Sequence, residues 1–417
     1  MLYACGFRDR ISVLVTALGR SSALRQTRRQ STSDSALIRR TYKYRLCPTA
    51  AQRTALLRSL DACRWVYNQA LEVRKTAWKE RRESLSRYDT IKLIPGWKAA
   101  HPFLNDAFSQ ALQEACTRVD LAFQAFFRRV KAGETPGYPR FKGRGWYDSI
   151  TYPQYRNGAR LDGERLTLSK IGAVRLKLHR PVEGTIKTVT IRRDRIGNWY
   201  ACFSCEVEPQ PLPVSDEMAG IDLGLKTFAT LSTGEAIPRR RWMKRDAKDI
   251  ARLQRKKERF AKGSPERRKV LRALNHVYQR AANRRADFAH QESRKLVNRF
   301  GLIVFEDLDI SDMQSNGNRV VNRGIADVAW GQFVQFTAYK AESAGRVVLR
   351  VSPRGTTQEC SGCGTVVRKD LSVRVHKCPD CGLEIDRDLN AALNILARGL
   401  ASLRPRPVEA PGFSRGD

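Results

Sequence analysis

Cys360-Ser361-Gly362-Cys363, fourteen further residues, Cys378-Pro379-Asp380-Cys381 and then Asp386-Arg387-Asp388-Leu389-Asn390-Ala391-Ala392-Leu393-Asn394-Ile395 lie side by side near the end of the chain. Two CxxC pairs at this separation allow four thiolates to converge on one tetrahedral Zn²⁺, each pair sitting on a tight turn. A four-thiolate shell is closed, so the expected Zn²⁺ is structural, and the nearby His376 is not needed as a ligand. The segment that follows opens with acids and continues as an apolar, Ala-rich helix. A small ribbon is therefore spliced in just before a helix, and the preceding chain must supply the sheet against which that helix packs.

Working upstream, Ala219-Gly220-Ile221-Asp222-Leu223-Gly224-Leu225-Lys226-Thr227 followed by Phe228-Ala229-Thr230-Leu231 reads as a strand, a tight turn and a second strand. Residues 239–300 are helical, and Gly263-Ser264-Pro265 breaks them into an expected antiparallel pair. Gly301-Leu302-Ile303-Val304-Phe305-Glu306 is a buried strand, 329–344 an amphipathic helix and 346–351 another strand. The resulting order, β-β-(β)-α-β-α-β-α, is that of an RNase H-like α/β fold. It assigns 217–353 and 383–400 to one domain, with the zinc ribbon inserted at 354–382.

The first half has a different texture. Residues 40–46 alternate as a strand that Cys47-Pro48 ends, and Thr49 caps a helical pattern through Leu56, Leu60, Cys63 and Val66 to about Lys79. After a polar, poorly periodic stretch, Asn105 is expected to open a second helix carrying Phe108, Ala111, Leu112, Val119, Phe123, Phe126 and Phe127 on one side. Short alternating segments from 133 to 208 read as a β-barrel or sandwich. With the early strand joining it, 41–50 and 131–210 make the barrel and 51–130 an inserted helical domain. Pro209-Gln210-Pro211-Leu212-Pro213 reads as a stiff linker. Residues 1–40 hold eight Arg against two acids; they suit a disordered basic arm or a start codon upstream of the domain better than an organelle transit peptide. Residues 401–417 read as a disordered tail.

The chain of 417 residues carries a formal charge of +35, which points to a polyanionic partner, and nucleic acid is the usual one. Nearly half of the excess lies in 239–300, with 22 Lys and Arg against six Asp and Glu. No run of eighteen apolar residues is present, so no membrane span is expected. Of ten cysteines, Cys5, Cys47, Cys63 and Cys116 are scattered, and Cys202 and Cys205 fall three apart on a strand, facing opposite ways. This usage fits a reducing cytoplasm.

Phosphodiester hydrolysis by two Mg²⁺ requires carboxylates converging on ions about 4 Å apart. Asp222 and Glu306 each end an apolar strand, and Asp388 opens a helix whose N-terminus favours negative charge. Asp386 competes with Asp388 for the third role, although its position suits an N-cap, while Asp307 and Asp309 are expected to face solvent or to support the site. Gly220-Ile221-Asp222-Leu223-Gly224 alone also fits the phosphate loop of actin-like ATPases, but the second such loop is missing. Trp65, Tyr67, Trp78, Tyr88, Trp97, Tyr138, Trp146 and Tyr147 could stack on bases. Most are expected in cores, with Tyr88 and Tyr147 the better stacking candidates.

At these motifs the sequence resembles the TnpB (OrfB) family of transposon-associated proteins, relatives of small type V CRISPR effectors. The resemblance rests on Tyr42-Lys43-Tyr44-Arg45-Leu46-Cys47-Pro48, Trp65-Val66-Tyr67-Asn68, Tyr138-Pro139-Arg140-Phe141-Lys142, Gly220–Gly224, Phe305-Glu306-Asp307-Leu308, the Cys360–Cys381 ribbon and Asp386–Ala392. It implies an RNA-guided, Mg²⁺-dependent endonuclease that binds a guide RNA from the transposon end and cuts double-stranded DNA beside a short flanking motif. It implies a RuvC nuclease site at Asp222, Glu306 and Asp388, settling the choice against Asp386. The barrel would be the wedge domain, the helical insertion the recognition domain, and Tyr88, Gln113 and Thr151 would contact nucleic acid. Two rival readings remain: a DDE-type transposase that cuts and joins DNA ends, and a non-catalytic zinc-ribbon DNA-binding protein.

Overall fold

A computed structural model describes residues 37–310, 313–314, 319–370 and 372–403. The basic arm and the tail thus fall almost wholly outside the described residues. Their inner edges need correction: residues 38–40 belong to the first strand, and 401–402 to the last helix.

The unit Leu37–Val207 combines helices with one sheet. It runs β1 (Ile38–Cys47), α1 (Ala50–Arg81), α2 (Arg87–Lys92), α3 (Ile94–Ala100), a 3-10 turn at Pro102–Asp106 and α4 (Ser109–Lys131). Then come β2 (Ser149–Tyr152), β3 (Ala159–Asp162), β4 (Arg165–Leu168), β5 (Gly172–Lys177), β6 (Thr185–Arg193) and β7 (Trp199–Val207). The antiparallel order is β2-β6-β7-β1-β5-β4-β3, so the isolated N-terminal strand lies at the sheet centre. Its alternation explains why: Tyr42, Tyr44 and Leu46 are buried while Thr41, Lys43 and Arg45 are more exposed. Among the described residues no ladder joins the edge strands β2 and β3, so the sheet is open where a barrel was expected.

α1 begins where expected, because Thr49 and Gln52 form a reciprocal capping box. The second major helix does not begin at Asn105. Leu104 is buried in the 3-10 turn, Ala107 is extended, and the helix starts at Ser109. Phe127 is exposed, so α4 outlasts the core that was expected to cover it. The polar stretch before it hides α2, signalled by a second capping box from Ser86 to Asp89. Cys202 is half-buried and Cys205 buried, on opposite faces of β7.

In the second unit, from Glu208 onward, β8 (Met218–Leu223), β9 (Ala229–Leu231) and β10 (Ala236–Ile237) form an antiparallel meander. Helices α5 (Trp242–Arg245), α6 (Ala247–Glu258) and α7 (Pro265–Arg299) follow, then β11 (Leu302–Glu306), α8 (Arg319–Val328), α9 (Trp330–Ala344) and β12 (Val347–Val351). A hairpin of β13 (Val375–Lys377) and β14 (Glu384–Asp386) leads into α10 (Arg387–Ser402). The five-stranded order is β10-β9-β8-β11-β12, with β8, β11 and β12 mutually parallel.

All five residues of β11 are buried, as expected of a central parallel strand covered on both faces. Ile303 and Phe305 pack with Phe333 and Val334 of α9 and Leu296 of α7. Leu302 and Val304 turn the other way, onto Ile395, Leu396 and Leu400 of α10. α10 lies so close to β8 that a Cβ at Gly220 would stand 2.2 Å from the carbonyl oxygen of Ala392. α6 and α7 run antiparallel: Asp246 meets Arg284, Gln254 meets Tyr278, and Glu258 meets Arg267. The proline-rich segment is not a free linker. Gln210 N–H donates to Ser343 O (2.8 Å) and Leu212 N–H to Ala344 O (3.0 Å), docking it along the end of α9. Among the described residues no helix is long and apolar enough to cross a membrane.

Candidate active site and metal centre

β8 and β11 are parallel neighbours with Ile221 opposite Phe305. The next residue of each strand, Asp222 and Glu306, therefore stands at the same C-terminal edge of the sheet. Both acids are only 8% exposed. The third acid arrives from the other side, because α10 packs across β8 and opens with Asp388, whose side chain is 14% exposed. Burial pushes the Asp222 carboxyl up to about 8, and the negative fields of Glu306 and Asp388 add to the rise, against Arg387. Burial likewise raises Glu306, opposed by a hydrogen bond from Thr356 and by the charge of Arg398.

Arg374 and Arg387 flank Asp388 Oδ1 at 3.5 and 3.3 Å. Asp386 is exposed and its Oδ1 caps the helix, accepting from the N–H groups of Asp388 (2.8 Å) and Leu389 (3.2 Å). Asp307 and Asp309 are exposed. Buried acids that repel one another suit divalent cations, which would relieve both the burial and the repulsion.

The thiols of Cys360, Cys363, Cys378 and Cys381 all lie within 4.8 Å of one another. Cys360 Sγ lies 3.6 Å from Cys381 Sγ, and Cys363 Sγ lies 3.5 Å from Cys378 Sγ. A tetrahedral shell with Zn–S bonds of about 2.3 Å has S···S edges of ~3.8 Å, so the cluster fits such an ion. Each pair ends in a glycine at positive φ, Gly364 at 87° and Gly382 at 69°, and these allow the turns that gather the thiols. Gly364 N–H and Gly382 N–H close those turns onto Cys360 O (2.8 Å) and Cys378 O (3.1 Å). His376 is fully buried beside Lys369 and stays outside the cluster.

Three stretches of the chain match known protein families. The family described as "Cas12f1-like, TNB domain" matches residues 330–395, "Probable transposase" matches 202–317, and "Helix-turn-helix domain" matches 38–83. A Streptomyces pristinaespiralis protein named "Putative RNA-guided DNA endonuclease" is 37% identical over 375 residues, covering 88% of this chain and 90% of its own. The chain belongs to the TnpB (OrfB) family. A second member, from Escherichia coli K12 and named "Putative RNA-guided DNA endonuclease InsQ", is 32% identical, covering 87% of this chain and 92% of its own. A Cas12f1 protein solved with sgRNA and target DNA shares the fold, with a TM-score of 0.54 at 14% identity, over 86% of this chain and 99% of that one.

In this TnpB-family chain the surface candidates differ in standing. Tyr88 is 59% exposed, and the Arg87 guanidinium lies 4.6 Å over its ring. Gln113 is exposed on α4. Thr151 is half-buried on β2, its hydroxyl accepting from Arg118 (2.8 Å) and lying 3.1 Å from Thr190 Oγ1. Tyr147 does not stack on bases: it is buried, with Tyr67 at 6.0 Å between ring centroids. Its neighbour Trp146, 74% exposed, presents the open ring instead.

Sequence reasoning also missed Asn390, Asn394 and Arg398. They recur every four residues on one face of α10 and clamp the entry to the cysteine cluster. Asn390 Nδ2 donates to Glu359 O (2.8 Å), and its Oδ1 accepts from Ser361 N–H (2.9 Å). Asn394 Nδ2 reaches Thr356 O and Glu359 O, both at 2.8 Å, and Arg398 donates to Ser352 O and Arg354 O. The i, i+4, i+8 spacing of polar residues in an apolar helix was the available signal.

Proposed function

We propose that this chain is an RNA-guided DNA endonuclease with a RuvC-type, Mg²⁺-dependent site at Asp222, Glu306 and Asp388, and with a structural Zn²⁺ on Cys360, Cys363, Cys378 and Cys381. The observation that carries the reading is the shared edge of β8 and β11. It brings two buried acids side by side, within the field of a third at the start of α10. Bound Mg²⁺ would supply Lewis acidity at the phosphate and an activated water at neutral pH. Asp222, Glu306 and Asp388 would hold the ions and orient them toward the scissile phosphate. Arg374 and Arg387, beside Asp388, would steady that carboxylate between turnovers.

The open sheet with α1 to α4 serves in this reading as the wedge and recognition domains, with Tyr88, Gln113 and Thr151 near the nucleic acid. The excess positive charge of 239–300, most of it on α6 and α7, gives a surface for phosphates. The partners are a guide RNA from the transposon end and double-stranded target DNA in a bacterial or archaeal cytoplasm. Base pairing would choose the target, and the protein would read only a short flanking motif.

The test is to purify the full chain with its RNA, sequence that RNA, and assay a matching target with and without RNase pretreatment. Site-specific cutting that disappears with the RNA is expected. RNA-free protein that still cuts one defined sequence, or joins DNA ends, would replace this reading with the DDE transposase.

A further inference from the structure

Thr356 lies on neither a strand nor a helix; it sits in the segment between β12 and the first cysteine pair. It is nevertheless 1% exposed, and its Oγ1 lies 2.6 Å from Glu306 Oε1. The backbone of the segment is tied down at each step by one face of α10. Arg398 holds the carbonyls of Ser352 and Arg354, Asn394 those of Thr356 and Glu359, and Asn390 that of Glu359 again. The helix that carries Asp388 thus also fixes the residue that touches Glu306.

We propose that Thr356 is a positioning residue for Glu306, aiming its carboxylate at the metal site, and that Asn394 holds Thr356 in place. The proposal rests on the reading of Glu306 as a metal-binding acid. A glutamate side chain at a strand end turns easily about its last torsion. A short charge-assisted hydrogen bond to Oε1 stops that rotation and leaves Oε2 for a cation. Threonine suits the task because its branched Cβ restricts the hydroxyl's direction. The competing role is local. The same hydroxyl lies 3.1 Å from Pro353 O and has one proton to give, so it could simply close the turn.

The experiment uses the full chain, stripped of RNA by high salt and with Zn²⁺ retained. Mn²⁺ binding is followed by electron paramagnetic resonance, and the Mg²⁺ dependence of cleavage is measured after guide is restored. Loss of a group that orients a metal-binding side chain typically costs about 10- to 100-fold in affinity or activity. Thr356→Val should therefore weaken Mn²⁺ binding by about tenfold or more and raise the Mg²⁺ midpoint in parallel. Zinc content, Tm and RNA binding should stay at wild-type values, and Thr356→Ser should restore metal binding. Wild-type metal dependence in Thr356→Val overturns the proposal and assigns the hydroxyl to the turn.

Glu306→Gln, measured alongside, separates the two levels. If it still binds Mn²⁺ and cuts, the active-site reading itself fails. If it is dead while Thr356→Val is normal, only the positioning role fails. Should Thr356→Val lower Tm, the comparison passes to Thr356→Ser against Thr356→Ala, which differ by the hydroxyl alone. Tighter metal binding by the serine variant supports the proposal, and equal binding overturns it.

Discussion

Replacing Asp222 by Asn should abolish cleavage and at the same time relieve the metal-free protein of a pH-dependent loss of stability. The carboxyl is 8% exposed, and burial beside two other acids raises it from 3.8 to about 8. A raised carboxyl means that the folded chain holds a proton which the unfolded chain has lost. Stability therefore falls as pH climbs from the unfolded value toward the folded one, and levels off above about pH 8. At ~1.4 kcal/mol per pH unit, the interval from about pH 5.5 to pH 8 costs the wild type ~3 kcal/mol through this group. An asparagine is neutral throughout and carries no such cost.

The assay is urea unfolding of the Zn²⁺-loaded, Mg²⁺-free full chain at about pH 5.5 and about pH 8.5. The wild type should lose ~3 kcal/mol more than Asp222→Asn between the two. Added Mg²⁺ should recover that loss in the wild type only, because binding to the native state stabilises it by mass action. DNA binding should change little, since affinity comes from basic residues spread over the chain. Equal pH dependence in the two proteins would refute the buried cluster, and cleavage within about tenfold of wild type would remove Asp222 from the active site.

Cys378→Ser should release zinc, measured by metal analysis, and lower Tm, since a ribbon this small takes its folding energy from the metal; cleavage should fall with it, because Asn390 ties the first cysteine turn to the helix bearing Asp388. Gly220→Ala should cost about 3 kcal/mol in urea unfolding, because its new methyl would meet the backbone of α10 at 2.2 Å and cannot be absorbed by a side-chain turn. Arg255 and Lys256 are exposed on α6, in the surface proposed to meet phosphates, and on that proposal changing both to Gln should flatten the dependence of nucleic-acid affinity on salt by about two phosphates' worth; an unchanged salt slope would take this face of α6 out of the interface.

What could be read from the sequence here follows the range of each interaction. β8 and β11 were legible because a buried parallel strand has to be a short apolar run, and each run ends in one acid. The cysteine quartet was legible because metal ligation fixes both residue type and spacing. Tyr147 was misjudged for the opposite reason. Apart from Trp146, its neighbours in sequence from Arg144 to Ser149 are polar or glycine, but its burial comes from Tyr67 and Arg118, which the fold brings to it from α1 and α4. The open sheet is a similar case, since alternation shows which side chains face inward but says nothing about whether the two edge strands meet. The proline-rich segment looked like a spacer because its composition is that of one, yet Gln210 and Leu212 find carbonyls at the end of α9 more than a hundred residues away.

Asn390, Asn394 and Arg398 fall between these cases. Their four-residue spacing was visible, but the carbonyls they satisfy belong to a loop with no periodicity of its own. That loop leads from β12 into the ribbon and touches Glu306 through Thr356, so an insertion that would otherwise look like an appendage bears on two of the three acids. The ribbon's place in the sequence, directly ahead of α10, then has a physical reason. The chain returns from the ribbon into the same helix whose face holds the loop that enters it, so α10 anchors both ends of the insertion.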